Sequence, residues 1–264
     1  MNIKEETAAA AGEEKKAPPT VDILGFAIAN LDMTEAAAAA AALVDAPGSR
    51  RIVTANAEIL YAAHQSPALA PLLRTADLIV PDGIGVVKAA ARLGRPVKER
   101  VAGIDLLWRL TEWAAANDRG IYLLGAQPAA VAGAAAVLLK KWPGLRLVGW
   151  HDGYFDAEEK ERLLRGIAAV RPDILFVAMG FPAQDRFFTD HQERLPVGLT
   201  VGVGGSFDVV GGRIRRAPAP VRRLNLEWAW RFAQNPRRLG RFWALPRFLL
   251  AVERQRRREK HLGQ

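Results

Sequence analysis

The stretch DILFVAMG (173–180), followed by FPAQDRFFTDHQER (181–194) and then LTVGVGG (199–205), decides the fold. An almost continuously apolar run, a helix-compatible segment and a second apolar run form one strand–helix–strand unit. A strand with no polar alternation is covered on both faces, which is the condition inside a parallel sheet. The same unit recurs along the chain. Strand-type runs are expected at 21–28, 51–55, 77–81, 120–125 and 145–150. Helices are expected near 34–46, 56–65, 83–94, 103–117, 128–141, 156–170, 183–194 and, more weakly, 206–210. Thr34 before the Ala run, Gln127-Pro128 and Asp156-Ala-Glu-Glu159 carry helix-start signals. The sequence therefore predicts an α/β fold, a Rossmann-like and mostly parallel sheet flanked by helices. Ligands in such folds sit at the carboxyl ends of the strands.

Composition narrows the class. The 264 residues are 50% hydrophobic and contain no cysteine, which excludes disulfides, thiolate metal sites and cysteine nucleophiles. Four histidines, His64, His151, His191 and His261, form no metal-binding motif. The formal charge is +9. Its distribution matters more, because residues 213–264 hold fifteen Lys and Arg against Glu227, Glu253 and Glu259. The expected organisation is a disordered segment over 1–20, an α/β catalytic body over 21–212 and a basic helical appendage over 213–264. No apolar run approaches the ~20 residues of a membrane-spanning helix, and the first twenty residues have no signal-peptide core.

The loops that leave the strands hold the candidate chemistry. Asp82 follows an apolar strand and precedes Gly83, so it reads as a general base or as a turn aspartate. Thr54 and Asn56 read as sugar or phosphate ligands or as caps of the following helix. The glycines of 202–205, notably Gly204 and Gly205, offer close backbone approach to a phosphate or make a tight turn. Gly125 and Gly180 end two other strands in the same way. There is no dinucleotide fingerprint, Walker loop or GxSxG elbow. With no Asp-x-Asp pair either, a bound diphosphate would be neutralised by arginines, amides or helix ends, with Lys98, Arg100 and the tail as candidates.

In the tail, RIRRAPAPVRRLNLEWAWRF (213–232) leads to a break at Asn235-Pro236. Beyond it Leu239, Phe242, Trp243, Leu249 and Leu250 recur at helical spacing among arginines. That pattern fits a helix lying in an anionic membrane surface. The alternatives are a helix packed on the body with a solvated charged face, or a nucleic-acid contact, for which no base-reading element is visible.

Together these loops resemble the WecG/TagA/CpsF family of bacterial glycosyltransferases, from about Val21 to Arg247. The resemblance rests on Thr54-Ala-Asn56-Ala-Glu58, Ala76 to Gly85, Lys98-Glu99-Arg100-Val-Ala-Gly103, Gly180-Phe-Pro182-Ala-Gln184, Val201 to Asp208 and Arg216-Ala-Pro218. Leu226-Glu227-Trp228 and Asn235-Pro236-Arg237 follow in the same order. It implies an inverting, metal-independent and cofactor-free transferase. Such an enzyme moves a sugar from a UDP-sugar donor onto a polyprenyl-diphosphate-linked acceptor, peripherally, at the cytoplasmic face of the bacterial inner membrane. It implies Asp82 as base and Thr54 as an active-site residue, with Arg100, Gln184 and the tail arginines Arg216, Arg223 and Arg231 handling diphosphates. Partners implied are the two substrates, an anionic membrane surface and a homo-oligomeric copy, with no nucleic acid. One departure is Gln184-Asp185 where the family usually carries Gln-Glu, and it makes Asp185 the weakest of the substrate-binding candidates. The competing readings are another nucleotide-binding α/β enzyme and a non-catalytic membrane or polyanion adaptor.

Overall fold

A computed structural model describes residues 18–218, 220, 221, 227, 230, 234 and 243–262. Most of the expected disordered segment, and Asn235-Pro236 with the stripe before Trp243, lie outside the described residues. Six strands form one all-parallel sheet. They are β3 (Arg50–Ala55), β4 (Leu78–Pro81), β5 (Gly120–Gly125), β6 (Arg146–His151), β7 (Ile174–Ala178) and β8 (Leu199–Gly202), in the order β4-β3-β8-β7-β5-β6.

The strands alternate between two buried faces, as the pleat requires. Ile52, Leu78, Ile121, Leu123, Ile174 and Phe176 pack against α1 (Met33–Val44), α5 (Gly103–Ala116), α6 (Pro128–Lys141) and α9 (Ser206–Val210). On the other face, Tyr122, Leu124, Leu175 and Val177 pack with residues of α7 (Ala157–Val170) and α8 (Ala183–His191). Val53, Ala55 and Ile79 pack there with α2 (Ala57–Gln65), α3 (Ala70–Arg74) and α4 (Ile84–Arg92). Both faces are covered, so continuous apolar runs are the right composition for these strands.

Four expectations change. The first predicted strand, 21–28, is a hairpin of β1 (Thr20–Ile23) and β2 (Phe26–Ala29), paired antiparallel and outside the main sheet. Leu24 and Gly25 both take positive φ, 57° and 86°, and Asp22 accepts from the Gly25 amide. A leucine in a left-handed turn carries no sequence signal, so the two strands read as one. Helix α1 is capped by Asp32, which makes a capping box with Glu35, rather than by Thr34. Helix α3 was not expected. The predicted helix 183–194 splits into α8 and a 3₁₀ turn over Gln192–Arg194.

The last helix, α10 (Ala244–Leu262), packs on the body, as the second reading of the tail has it. Phe248, Ala251 and Val252 are buried with residues of α2 and α4. A Cβ on Gly85 would lie 2.9 Å from Leu245 Cδ1, so the glycine admits close approach of α10 to α4. Burial of the Phe248 ring alone is worth about 1.5–3 kcal/mol. Gln255 joins the helix to the hairpin, accepting from the Leu24 amide at 2.8 Å and donating to Asp22 Oδ1 at 3.0 Å. The outward side keeps Trp243, Leu250, Arg247, Arg254, Arg257 and Arg258, with Trp243 62% and Leu250 61% exposed. Among the described residues no helix is long and apolar enough to cross a membrane.

Candidate active site

The carboxyl ends of β3, β4 and β8 meet the start of α5. Asp82 leaves β4, with its amide bonded to the Ala55 carbonyl at 2.8 Å. Thr54, buried in β3, donates from Oγ1 to the Gly202 carbonyl at 2.7 Å. That bond fixes the hydroxyl rotor and joins adjacent strands at the site. Between the two side chains sits Gly103, the first residue of α5. A Cβ there would lie 3.0 Å from Thr54 Oγ1 and 3.3 Å from Asp82 Oδ2. The α5 terminus thus closes on a hydroxyl and a carboxylate at once, and only a glycine fits without displacing them. A carboxylate held in this way at a strand end can take the proton of a hydroxyl brought to it.

Two cavities are lined by residues close in sequence to this cluster, Ile84 and Arg100 in one and Gly204 in the other, though neither lining includes Thr54, Asp82 or Gly103. One, of about 490 Å³, lies over the ends of β5, β7 and β8. Gly180, Gly204 and Gly205 line it, with Gln127, Tyr154, Asp208 and Arg213 around them. Gln127, the residue before α6, lines the cavity, and its side chain makes no capping hydrogen bond to the helix. The other, of about 900 Å³, is an open groove beside α4 and α5. Its lining includes Ile84, Arg100, Asp105 and Trp108, with Lys141 and Trp142 at the end of α6. The Lys141 ammonium lies 4.7 Å and 4.8 Å from the two indole rings.

The remaining predicted residues divide by what they touch. Asn56 caps α2, its Oδ1 accepting from the Ile59 amide at 3.0 Å, which is the capping reading. Gly125, at φ 117°, is a close-approach glycine: a Cβ would lie 2.6 Å from the Ala178 carbonyl carbon. Arg100 donates to Glu227 at 3.1 Å. Arg216 donates to Asp105 at 2.6 Å and lies 4.0 Å from Glu227. These four charges alternate and fasten residues 216 and 227 of the tail to the edge of the groove. Gln184 is buried, and its Oε1 accepts from the amides of Gly180 and Gly204 at 3.1 Å and 3.2 Å. It therefore shapes the cavity from behind, and those two amides are already used. Asp185 is also buried, 2% exposed, and points into the protein to an ion pair with Arg51 at 3.0 Å. Arg223 and Arg231 lie outside the described residues. Among the described residues no group of three His, Asp or Glu is placed to share a metal ion.

Sequence reasoning missed the function of Gly103, the indole–ammonium wall of the groove, and Arg51. Only Arg51 left a signal, a basic residue opening an otherwise apolar strand run. Gly103 shows its role only once Thr54 and Asp82 are seen on either side of it.

The sequence profile of the "Glycosyl transferase WecG/TagA/CpsF family" matches residues 21–262. The chain belongs to that family. Among its relatives is a Bacillus spizizenii protein, 37% identical over 206 residues, covering 78% of this chain and 79% of that one. A Staphylococcus aureus (strain MW2) relative is 34% identical over 250 residues, covering 94% and 98%. A third, from Bacillus subtilis (strain 168), is 34% identical over 209 residues, covering 79% and 81%. Each bears the name N-acetylglucosaminyldiphosphoundecaprenol N-acetyl-beta-D-mannosaminyltransferase. The chain is a glycosyltransferase with an α/β architecture, and the Asp82–Thr54–Gly103 cluster is its candidate reaction centre.

Proposed function

We propose that this glycosyltransferase moves an N-acetylhexosamine, on the relatives' pattern N-acetylmannosamine, from UDP onto a sugar carried by a polyprenyl diphosphate. The observation that carries the mechanism is the placement of Asp82 and Thr54 at neighbouring strand ends on either side of Gly103. The smaller cavity takes the UDP-sugar. Arg213 in its lining neutralises the diphosphate, with Gln127 at the start of α6 beside it, and Tyr154 offers a ring for the base. The groove takes the acceptor sugar, with Trp108 and Trp142 as apolar platforms and Arg100 also in its lining. The acceptor hydroxyl loses its proton to Asp82 and attacks the anomeric carbon. UDP leaves on the opposite side, so configuration inverts. Charge developing on UDP meets groups already oriented toward it, which is how electrostatic stabilisation lowers the barrier.

The appendage, residues 213–264, brings the lipid-linked substrate to the site. The outward side of α10, with Trp243, Leu250 and four arginines, is suited to an anionic bilayer surface, each basic residue there adding about 1 kcal/mol. The protein is then peripheral, at the cytoplasmic side where UDP-sugars are found.

The test crosses UDP-N-acetylmannosamine and UDP-glucose with short-chain prenyl-diphosphate N-acetylglucosamine, reading UDP release and product mass. Transfer from the first donor is expected. Trp108→Ala should raise the acceptor KM while leaving donor affinity in place. Absence of transfer from any UDP-sugar, or a Trp108→Ala effect confined to the donor, would refute the assignment of the two cavities.

A further inference from the structure

On one face of the sheet two apolar clusters lie side by side, one under α7 and α8, the other under α2, α3, α4 and α10. A polar seam separates them: Arg51 on β3, Thr200 and Gly202 on β8, and Gln184 and Asp185 at the start of α8. Arg51, Asp185, Gln184 and Thr200 are each no more than 3% exposed. The seam ends at Gly180 and Gly204, which line the smaller cavity.

Arg51 is held from several sides. It donates to Asp185 Oδ1 at 3.0 Å and to Thr75 Oγ1 at 2.9 Å, and it lies 5.5 Å from the Phe188 ring centre. Its position is therefore fixed by β3, by the segment after α3 and by α8 itself. Asp185 follows Gln184 directly, so the ion pair anchors the same helical turn from which Gln184 reaches Gly180 and Gly204. Both glycines take positive φ, 72° and 52°. The loops that carry them follow different strands, and the Gln184 carbonyl oxygen joins them. An ion pair this deeply buried recovers little more than its desolvation cost, and replacing both partners with apolar groups is often neutral for stability.

We infer that Arg51 and Asp185 are positioning residues for the nucleotide-sugar: their ion pair sets the first turn of α8 so that Gln184 holds the two glycine loops in the shape the donor requires. This rests on the reading of the smaller cavity as the donor site. It also gives the site a pH dependence. Burial pushes the Asp185 carboxyl up to about 6, against the opposing pull of Arg51. The groups facing it are few. Arg51 comes from β3, with Asp77 behind it accepting from the Arg51 amide at 2.8 Å and from Arg50 at 2.9 Å. Thr75 comes from the end of α3, where Arg74 instead lies over Phe26. Thr200 on β8 and Gln184 do not titrate, and Arg194 in the 3₁₀ turn is paired with Glu161.

The experiment measures binding of a UDP-sugar without acceptor, because its doubly esterified diphosphate does not titrate near neutrality. Wild type is compared with Arg51→Met/Asp185→Leu between about pH 7 and pH 5. Full coupling to one proton with a pKa near 6 weakens wild-type binding by up to about tenfold over that range. The double variant is expected to bind more weakly at pH 7 and to lose this dependence. In parallel, exchange of the Gly180 and Gly204 amides in wild type, corrected for intrinsic rates, should lose protection below about pH 6, a readout that needs no variant. Unchanged protection, or a double variant with wild-type affinity and pH profile, overturns the inference while leaving the donor site in place. No UDP-sugar binding by wild type at pH 7 overturns the donor-site reading and this inference with it.

Discussion

Asp82→Asn is expected to lower turnover by about 10²–10⁴-fold, the usual contribution of a positioned general base, while UDP-sugar affinity stays close to wild type. The amide has the shape of the carboxylate and meets Gly103 in the same way, so α5 keeps its place. What it loses is the capacity to accept the proton of the attacking hydroxyl. The donor cavity lies over β5, β7 and β8 and is lined without Asp82, which is why binding and turnover should separate. Single-turnover transfer to a short-chain acceptor, with calorimetry of UDP-sugar binding, reads both quantities. Equal losses in affinity and turnover would make Asp82 a structural aspartate.

Gly103→Ala should abolish most activity without unfolding the protein. Gly103 is the first residue of α5, and alanine is the better helix former, so the helix itself tolerates the change. The added methyl meets Thr54 Oγ1 at 3.0 Å and Asp82 Oδ2 at 3.3 Å. Thr54 cannot retreat freely, because its hydroxyl is bonded to the Gly202 carbonyl at 2.7 Å, so the carboxylate gives way. Misplacement of a catalytic group by about 1 Å can cost about 100-fold in rate. Relief of these contacts needs a shift of only a few tenths of an ångström, so the expected loss is smaller, about tenfold, with a melting temperature close to wild type. Full activity in Gly103→Ala would show that turnover does not depend on the position in which Gly103 lets the Asp82 carboxylate sit.

The parallel sheet was legible because runs such as DILFVAMG (173–180) carry their burial on both faces in their composition. Asp82 and Thr54 were legible as polar residues at strand ends, where such folds put ligands. The hairpin was not, because its turn uses Leu24 at φ 57° instead of Asn or Asp. Gln184 and Asp185 were found as a motif, yet their chemistry depends on partners far away in sequence. Gln184 meets Gly204, and Asp185 meets Arg51 across 134 positions. The amphipathic stripe of the tail does not by itself say whether protein or lipid covers it. The structure answers for α10, where Phe248 and Val252 face α2 and α4 while Trp243 and Leu250 face outward.

The most direct test of the central claim, direct displacement at the anomeric carbon with Asp82 as base, is the anomeric configuration of the product. An α-linked UDP-N-acetylmannosamine is supplied with a short-chain prenyl-diphosphate N-acetylglucosamine, and the new linkage is read by NMR. A β-linkage is expected, formed about 10²–10⁴-fold more slowly by Asp82→Asn. An α-linkage, or a β-linked product formed at the wild-type rate by Asp82→Asn, would contradict it.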